Sequence, residues 1–252
     1  MALPTEVTER RRRLVLRVTT RRDVEAGLPA SVEIAAALRS ELVTLFITDD
    51  APFAASGLPF PALISFSGGP LAPDPERFDA AVRRESQLCR RLLAAAAERA
   101  RLTWSFQSMR GESLRLVREA CAGEDILVIG IDRLGLSAAE TIALGKRLAP
   151  DRGGVMFVPA RPAPRQGPVV MLDRPDLATE ALANFVASLA NALGTHVVRV
   201  DPSAAGSSAV LMSARLLLAP VDDSPVGDAA VIASLAAGLR APLLLLRVEA
   251  NR

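Results

Sequence analysis

Residues 125–130 (DILVIG) form an apolar run that ends in glycine; an Ala/Leu-rich helical stretch follows, and residues 154–159 (GVMFVP) close the unit. The chain then says the same thing again. Residues 215–220 (RLLLAP) lead into another helical stretch and finish at residues 242–247 (PLLLLR). A short apolar run, a helix and a second apolar run make a β-α-β unit, whose two strands lie parallel and buried on both faces. Finding that unit twice predicts an α/β fold of doubly wound parallel sheets in two pseudo-symmetric halves.

The remaining segments fit around these units. Upstream, residues 13–20 (RLVLRVTT) read as a first strand, residues 30–41 (ASVEIAAALRSE) as a helix and residues 43–48 (VTLFIT) as a second strand. Residues 49–75 are rich in Pro, Gly, Ser and Phe without a clear period, and a loop of that length usually covers or contacts something. An amphipathic helix over 76–101, a strand over 102–107 carrying Trp104, and a helix over 112–122 lead to the DILVIG strand. A helix over 137–149 and the strand 154–159 complete a first domain of five strands and four helices, residues 13–159, after a flexible stretch 1–12. The proline-rich segment 160–167 suits neither helix nor central strand and is expected to be a linker. Residues 168–252 then form a trimmed copy. It has a strand at 168–172, a helix at 177–193, a strand at 195–200 (THVVRV), a crossover containing Ser207 to Ser213, and the repeated C-terminal unit.

Composition narrows the class of function. The chain has 252 residues, half of them apolar and 23% charged, with a formal net charge of +2, the profile of a soluble globular protein. Every apolar run is broken well before the ~20 residues a membrane span requires, and the N-terminus lacks the apolar stretch of a secretory signal. A cytoplasmic address without membrane insertion is expected. Lys146 is the sole lysine; arginine dominance, abundant Ala and the absence of Tyr read as the imprint of a GC-rich bacterial genome. The arginines alternate with acids along helices, as at Arg83, Arg84, Glu85, Arg90 and Arg91, which reads as a solvated face and gives no reason to expect nucleic acid. Arg10 to Arg13 read as a solubility device beside the first strand.

Reactive residues are scarce. Cys89 and Cys121 lie far apart in helical contexts and read as reduced, buried thiols. His196 is the only histidine and falls in a predicted strand, where a structural role is expected; most His-dependent catalysis and zinc chemistry would have to be built on that one ring. No serine elbow, carboxylate pair or metal cluster stands out, and no metal site or catalytic residue is assigned.

The order strand, helix, strand, long loop and helix, strand, helix, strand, loop, helix, strand, run in tandem, resembles the universal stress protein family, with local matches at DILVIG, GVMFVP and APLLLLR. The resemblance implies a Rossmann-like domain with an ATP site after the fourth strand, built from a Gly-x2-Gly-x9-Gly-(Ser/Thr) loop, and an Asp after the first strand. Glycines there let backbone N–H groups approach phosphate, and the following helix N-terminus favours negative charge. The motif is degraded in this chain. Gly135 and Gly145 keep the nine-residue spacing, but four residues instead of two separate Gly130 from Gly135, Lys146 replaces the hydroxyl residue, and Thr19 and Thr20 stand where the Asp belongs. Gly130, Gly135, Gly145, Lys146 and Thr19 are the candidate ATP-binding residues.

The second half departs in the complementary way. Asp173 follows its first strand, yet residues 221–228 (VDDSPVGD) carry no phosphate-binding glycine pattern. Asp222, Asp223 and Asp228 would repel a triphosphate unless magnesium bridged them; a helix cap formed by Asp222, Asp223 or Ser224 is the preferred reading. Phe53, Phe60 and Phe66 in the long loop could line a partner groove, with packing over the sheet edge as the plainer reading.

The family's domains commonly pair through their last strands. Here 154–159 and 242–247 are expected to pair within one polypeptide, since each is an apolar run at an otherwise bare sheet edge. The expectation is an intramolecular pseudo-dimer acting as a non-catalytic, cytoplasmic stress-response or regulatory adaptor that needs no cofactor and binds a protein partner. Further homodimerisation is left open. The alternative is an ATP-binding sensor or weak ATPase using the loop after the fourth strand. No residue pattern supports a flavin.

Overall fold

The computed structural model of the chain describes residues 12–48, 63–64, 70–71, 75–130, 143–144, 147–148, 153–159, 166–201, 213–221 and 241–248. In chain order the described elements are β1 Arg13–Val18, α1 Arg21–Leu38, β2 Glu41–Thr48, the two-residue strands β3 Leu63–Ile64 and β4 Pro70–Leu71, and α2 Pro75–Arg99. They continue with β5 Trp104–Arg110, α3 Ser113–Ala120, β6 Ile126–Gly130, β7 Gly154–Val158, β8 Val169–Leu172, α4 Glu180–Ala192, β9 Val197–Val200, β10 Leu216–Val221 and β11 Leu243–Arg247.

All but the β3–β4 hairpin join one sheet, in the order β5-β2-β1-β6-β7-β11-β10-β8-β9. Every pairing in it is parallel except β7 with β11, which run antiparallel with Leu243 opposite Phe157 and Leu246 opposite Gly154. The strands expected to meet, 154–159 and 242–247, therefore do so. From that pair outward, β7-β6-β1-β2 and β11-β10-β8-β9 follow the same sequence of elements, and β5 is the strand without a described counterpart. A close joint needs Gly154: a Cβ there would stand 2.5 Å from the Leu245 carbonyl oxygen.

Central strands such as β7 and β10 are buried along their whole length because helices cover both faces. On one face α1, α2 and α4 pack Ile34, Leu93 and Val186 over Leu16, Met156 and Met171. On the other, α3 and the helical residues 143–144 and 147–148 pack Val117 and Leu148 over Val15, Leu127 and Val155. A polar contact binds the first half to the second: Arg215 donates through Nε to Glu33 of α1 at 2.6 Å, while its Nη1 donates to the Leu193 carbonyl of its own half at 2.5 Å. The Arg12 guanidinium also lies 4.7 Å over the Phe185 ring.

Three sequence expectations change. The first helix starts at Arg21, not Ala30, and runs through Pro29. Pro29 is exposed, so the carbonyl it leaves unbonded faces water, and the buried Gly27 lets α1 lie tight on β1, where a Cβ would meet Leu16 at 2.8 Å. The helix expected over 177–193 spans only Glu180–Ala192, because Pro175–Leu177 turn as a 3-10 segment and the Thr179 hydroxyl caps α4 by accepting from the Leu182 N–H at 3.1 Å. His196 lies one residue before β9 and is exposed, so it fills no core position.

One polar group in the core costs stability. Thr44 on β2 is fully buried and its hydroxyl oxygen has no hydrogen-bond partner. Thr44→Val keeps the shape and removes the unsatisfied group, so chemical denaturation should show a gain of about 1 kcal/mol; a loss would mean that the hydroxyl is satisfied in solution.

Candidate functional site

The chain leaves β1 through α1 on one face of the sheet, whereas the helical residues after β6 pack on the other. Connections that diverge from neighbouring strands open a crevice at their carboxyl ends, the usual place for a ligand in such sheets. Leu16 pairs with Val128, so the ends of β1 and β6, with Thr19, Thr20 and Gly130, share that crevice.

The turn after β1 is already occupied by an acid of the chain itself. Asp23, in the first turn of α1 and only 7% exposed, accepts through Oδ2 from the Thr19 N–H at 2.8 Å, the Thr19 hydroxyl at 2.7 Å and the Thr20 N–H at 2.9 Å. A carboxylate at a helix N-terminus is stabilised by the helix dipole as well as by these bonds. Donors that could otherwise cradle phosphate are therefore spent. The acid absent from Thr19's position is supplied four residues later and turned inward.

Beside this turn stands Arg17, a residue that the sequence reading missed. It is the one charged residue between the ends of a strand otherwise buried, and its Nε donates to the Ser113 hydroxyl at 2.7 Å. Burial pulls its pKa below the ordinary arginine value, with the charge of Asp23 acting in the opposite direction. No carboxylate lies within ion-pair distance of it among the described residues, and Ser113 opens α3. A charge at position 17 in RLVLRVTT, a central parallel strand, was the available signal.

Of the other expected site residues, Gly130 ends β6 half-buried, and a Cβ there would meet no atom within 4 Å. Gly135, Gly145 and Lys146 lie outside the described residues, as do Asp222, Asp223, Ser224, Asp228 and the phenylalanines at 53, 60 and 66. In the second half the Asp173 N–H donates to the Val200 carbonyl at 2.8 Å, and Arg174 pairs with Asp176, holding that carboxyl below its ordinary pKa. Cys89 and Cys121 are free thiols, both pushed up to about 12 chiefly by burial. They are poor nucleophiles at neutral pH. Among the described residues no three His, Cys, Asp or Glu side chains gather as a metal site, and no helix is long and apolar enough to cross a membrane.

No family model and no curated protein matches the sequence. Solved structures do. A universal stress protein from Archaeoglobus fulgidus DSM 4304 superposes over 93% of this chain and 96% of its own, with a TM-score of 0.54 at 10% identity. The fold is that of the universal stress proteins. A functionally unknown protein from Pseudomonas aeruginosa PAO1 shares it over 94% of this chain and 92% of its own (TM-score 0.53, 11% identity). So does the cytoplasmic domain of a prokaryotic cation chloride cotransporter, over 94% and 96% (TM-score 0.52, 14% identity). In this universal stress protein fold, Thr19 stands at the turn after β1, where the resemblance places an acid, with Asp23 behind it.

Proposed function

We propose that this chain is a non-catalytic regulatory adaptor of universal stress protein type, a cytoplasmic intramolecular pseudo-dimer whose nucleotide site has decayed. The observation that carries the reading is the inward-turned Asp23, which takes the Thr19 and Thr20 N–H groups of the first β-α turn. An incoming triphosphate would have to displace a carboxylate already satisfied three times over, and would meet its negative charge. The joint of β7 with β11 supports the pseudo-dimer, since it uses up the edge through which two such domains would otherwise associate. A fold of this kind also forms the cytoplasmic part of a transporter, which is consistent with partner binding in place of turnover.

Titration calorimetry with ATP and magnesium tests the reading. The expected result is no micromolar binding and no hydrolysis. Micromolar affinity that falls in Lys146→Ala would instead establish the nucleotide sensor, with Gly130, Gly135, Gly145 and Lys146 around the phosphates.

A further inference from the structure

We infer that the outer face of α2 docks an acidic α-helix of a partner protein, held by Arg83, Arg84, Arg90 and Arg91. These residues form two adjacent pairs seven residues apart, and all four are exposed. In the linear sequence they stand beside acids, as on a neutralised helix face. The fold removes that balance. Glu85 turns towards α1 and accepts from the Arg21 N–H at 2.5 Å, while Asp79 pairs with Arg110 of the edge strand β5 at 3.7 Å. No other acid occurs between positions 77 and 97. Side chains three and four positions apart are the ones that meet on a helix surface, and for Arg84, Arg90 and Arg91 every such neighbour is uncharged. None of the four arginines has an ion pair with a described residue.

The spacing selects the occupant. Seven residues advance a helix by about 10 Å in nearly whole turns, so Arg84 and Arg91 lie almost in line, with Arg83 and Arg90 in a second row beside them. A helix with carboxylates at the same seven-residue repeat presents them at the same interval, and each guanidinium fork can take one in bidentate fashion. Around the arginines stand Ala80, Ala81, Gln87 and Ala95, which put no bulky apolar side chain in the way of a close approach. A lipid surface fits less well. The apolar side of α2 is already packed on the sheet through Cys89 and Leu93, and Phe78 is the one large apolar side chain that α2 exposes. Nucleic acid fits less well too, because no aromatic side chain stands among the four arginines to stack on bases, and the backbone of a duplex winds away from a straight row. The inference rests on the adaptor reading, to which it gives a class of partner.

The full chain should be titrated at low salt against a fluorescent helical peptide of three heptads that carries paired glutamates at the seven-residue repeat, read by anisotropy. Saturable binding with a Kd of about 100 µM or tighter is expected, weakened at least ~10-fold in Arg84→Glu/Arg91→Glu. Raising the salt to ~0.5 M should weaken it as well. The neutral variant Arg84→Gln/Arg91→Gln should lose about 3-fold, which keeps the test open if charge reversal impairs folding. Arg115→Glu/Arg118→Glu on α3 makes the same change in net charge on the opposite face of the sheet and should stay within about 2-fold of the parent. Equal losses in the α2 and α3 variants, equal binding of a peptide with glutamine for glutamate, or no binding by the parent overturns the inference. A DNA duplex or phosphatidylserine vesicles bound more tightly than the peptide, and lost in the same α2 variant, would overturn it in favour of that surface. The adaptor reading fails separately, through ATP turnover or tight ATP binding that depends on Lys146 and leaves the peptide titration unchanged.

Discussion

Asp125→Ala should destabilise the protein by about 4 kcal/mol in urea denaturation. Asp125 is 2% exposed at the start of β6 and is the hub that aligns it with β1. Its Oδ1 accepts from the Arg13 N–H at 3.2 Å and from Arg13 Nε at 3.1 Å; Oδ2 pairs with Arg13 Nη2 and accepts from the Ala122 N–H at 3.0 Å. These hydrogen bonds raise the Arg13 pKa against the opposing effect of burial. Removing the carboxylate would strand a partly buried guanidinium, leaving it only the Ala120 carbonyl at 3.0 Å. The double variant Arg13→Met/Asp125→Leu should regain most of the loss, because replacing both charges with apolar groups leaves neither unpaired. A single variant within about 1 kcal/mol of the parent would show the pair to be dispensable.

Gly167→Ala should cost about 3 kcal/mol or more. A Cβ at position 167 would lie 1.5 Å from the Ser213 carbonyl oxygen, a backbone atom that cannot rotate away. Around this point the Thr195 hydroxyl donates to the Gly167 carbonyl at 3.0 Å and the Arg215 N–H donates to the Pro168 carbonyl at 2.9 Å. The strain therefore falls where β8 and β10 enter the sheet. Hydrogen exchange should show the amides of β8, β9 and β10 losing protection ahead of those of β1 and β2. Gly130→Ala is the natural control: a Cβ there meets nothing, so its effect should stay within about 1 kcal/mol. Similar losses in the two variants would refute the steric account.

The elements that were legible in the sequence are those with a strong apolar period. β6, β7, β10 and β11 fall within one or two residues of their expected limits, because buried parallel strands read as unbroken apolar runs. Less legible were segments in which a breaker is neutralised by its position. Pro29 looks like a helix stop until its exposure is known, and Gly27 looks like a turn until β1 is seen to press against it. The site was harder still. Thr19 could be named from its place after the first strand, but that Asp23 would take its donors depends on how the turn folds. Arg17 was visible as a charge in a central strand, yet the hydroxyl it donates to, on Ser113, lies 96 residues further along.

The sequence by itself determined where the parallel strands β6, β7, β10 and β11 lie, since burial on both faces demands continuous apolar runs. Only the tertiary structure decided that β7 and β11 join the halves antiparallel, that Asp23 turns into the β1 crevice, and that Arg17 donates to the Ser113 hydroxyl. Apolar periodicity is a local property, written residue by residue. Hydrogen-bond partners and the enclosure of a charge depend on distant segments meeting, and that is settled when the sheet closes.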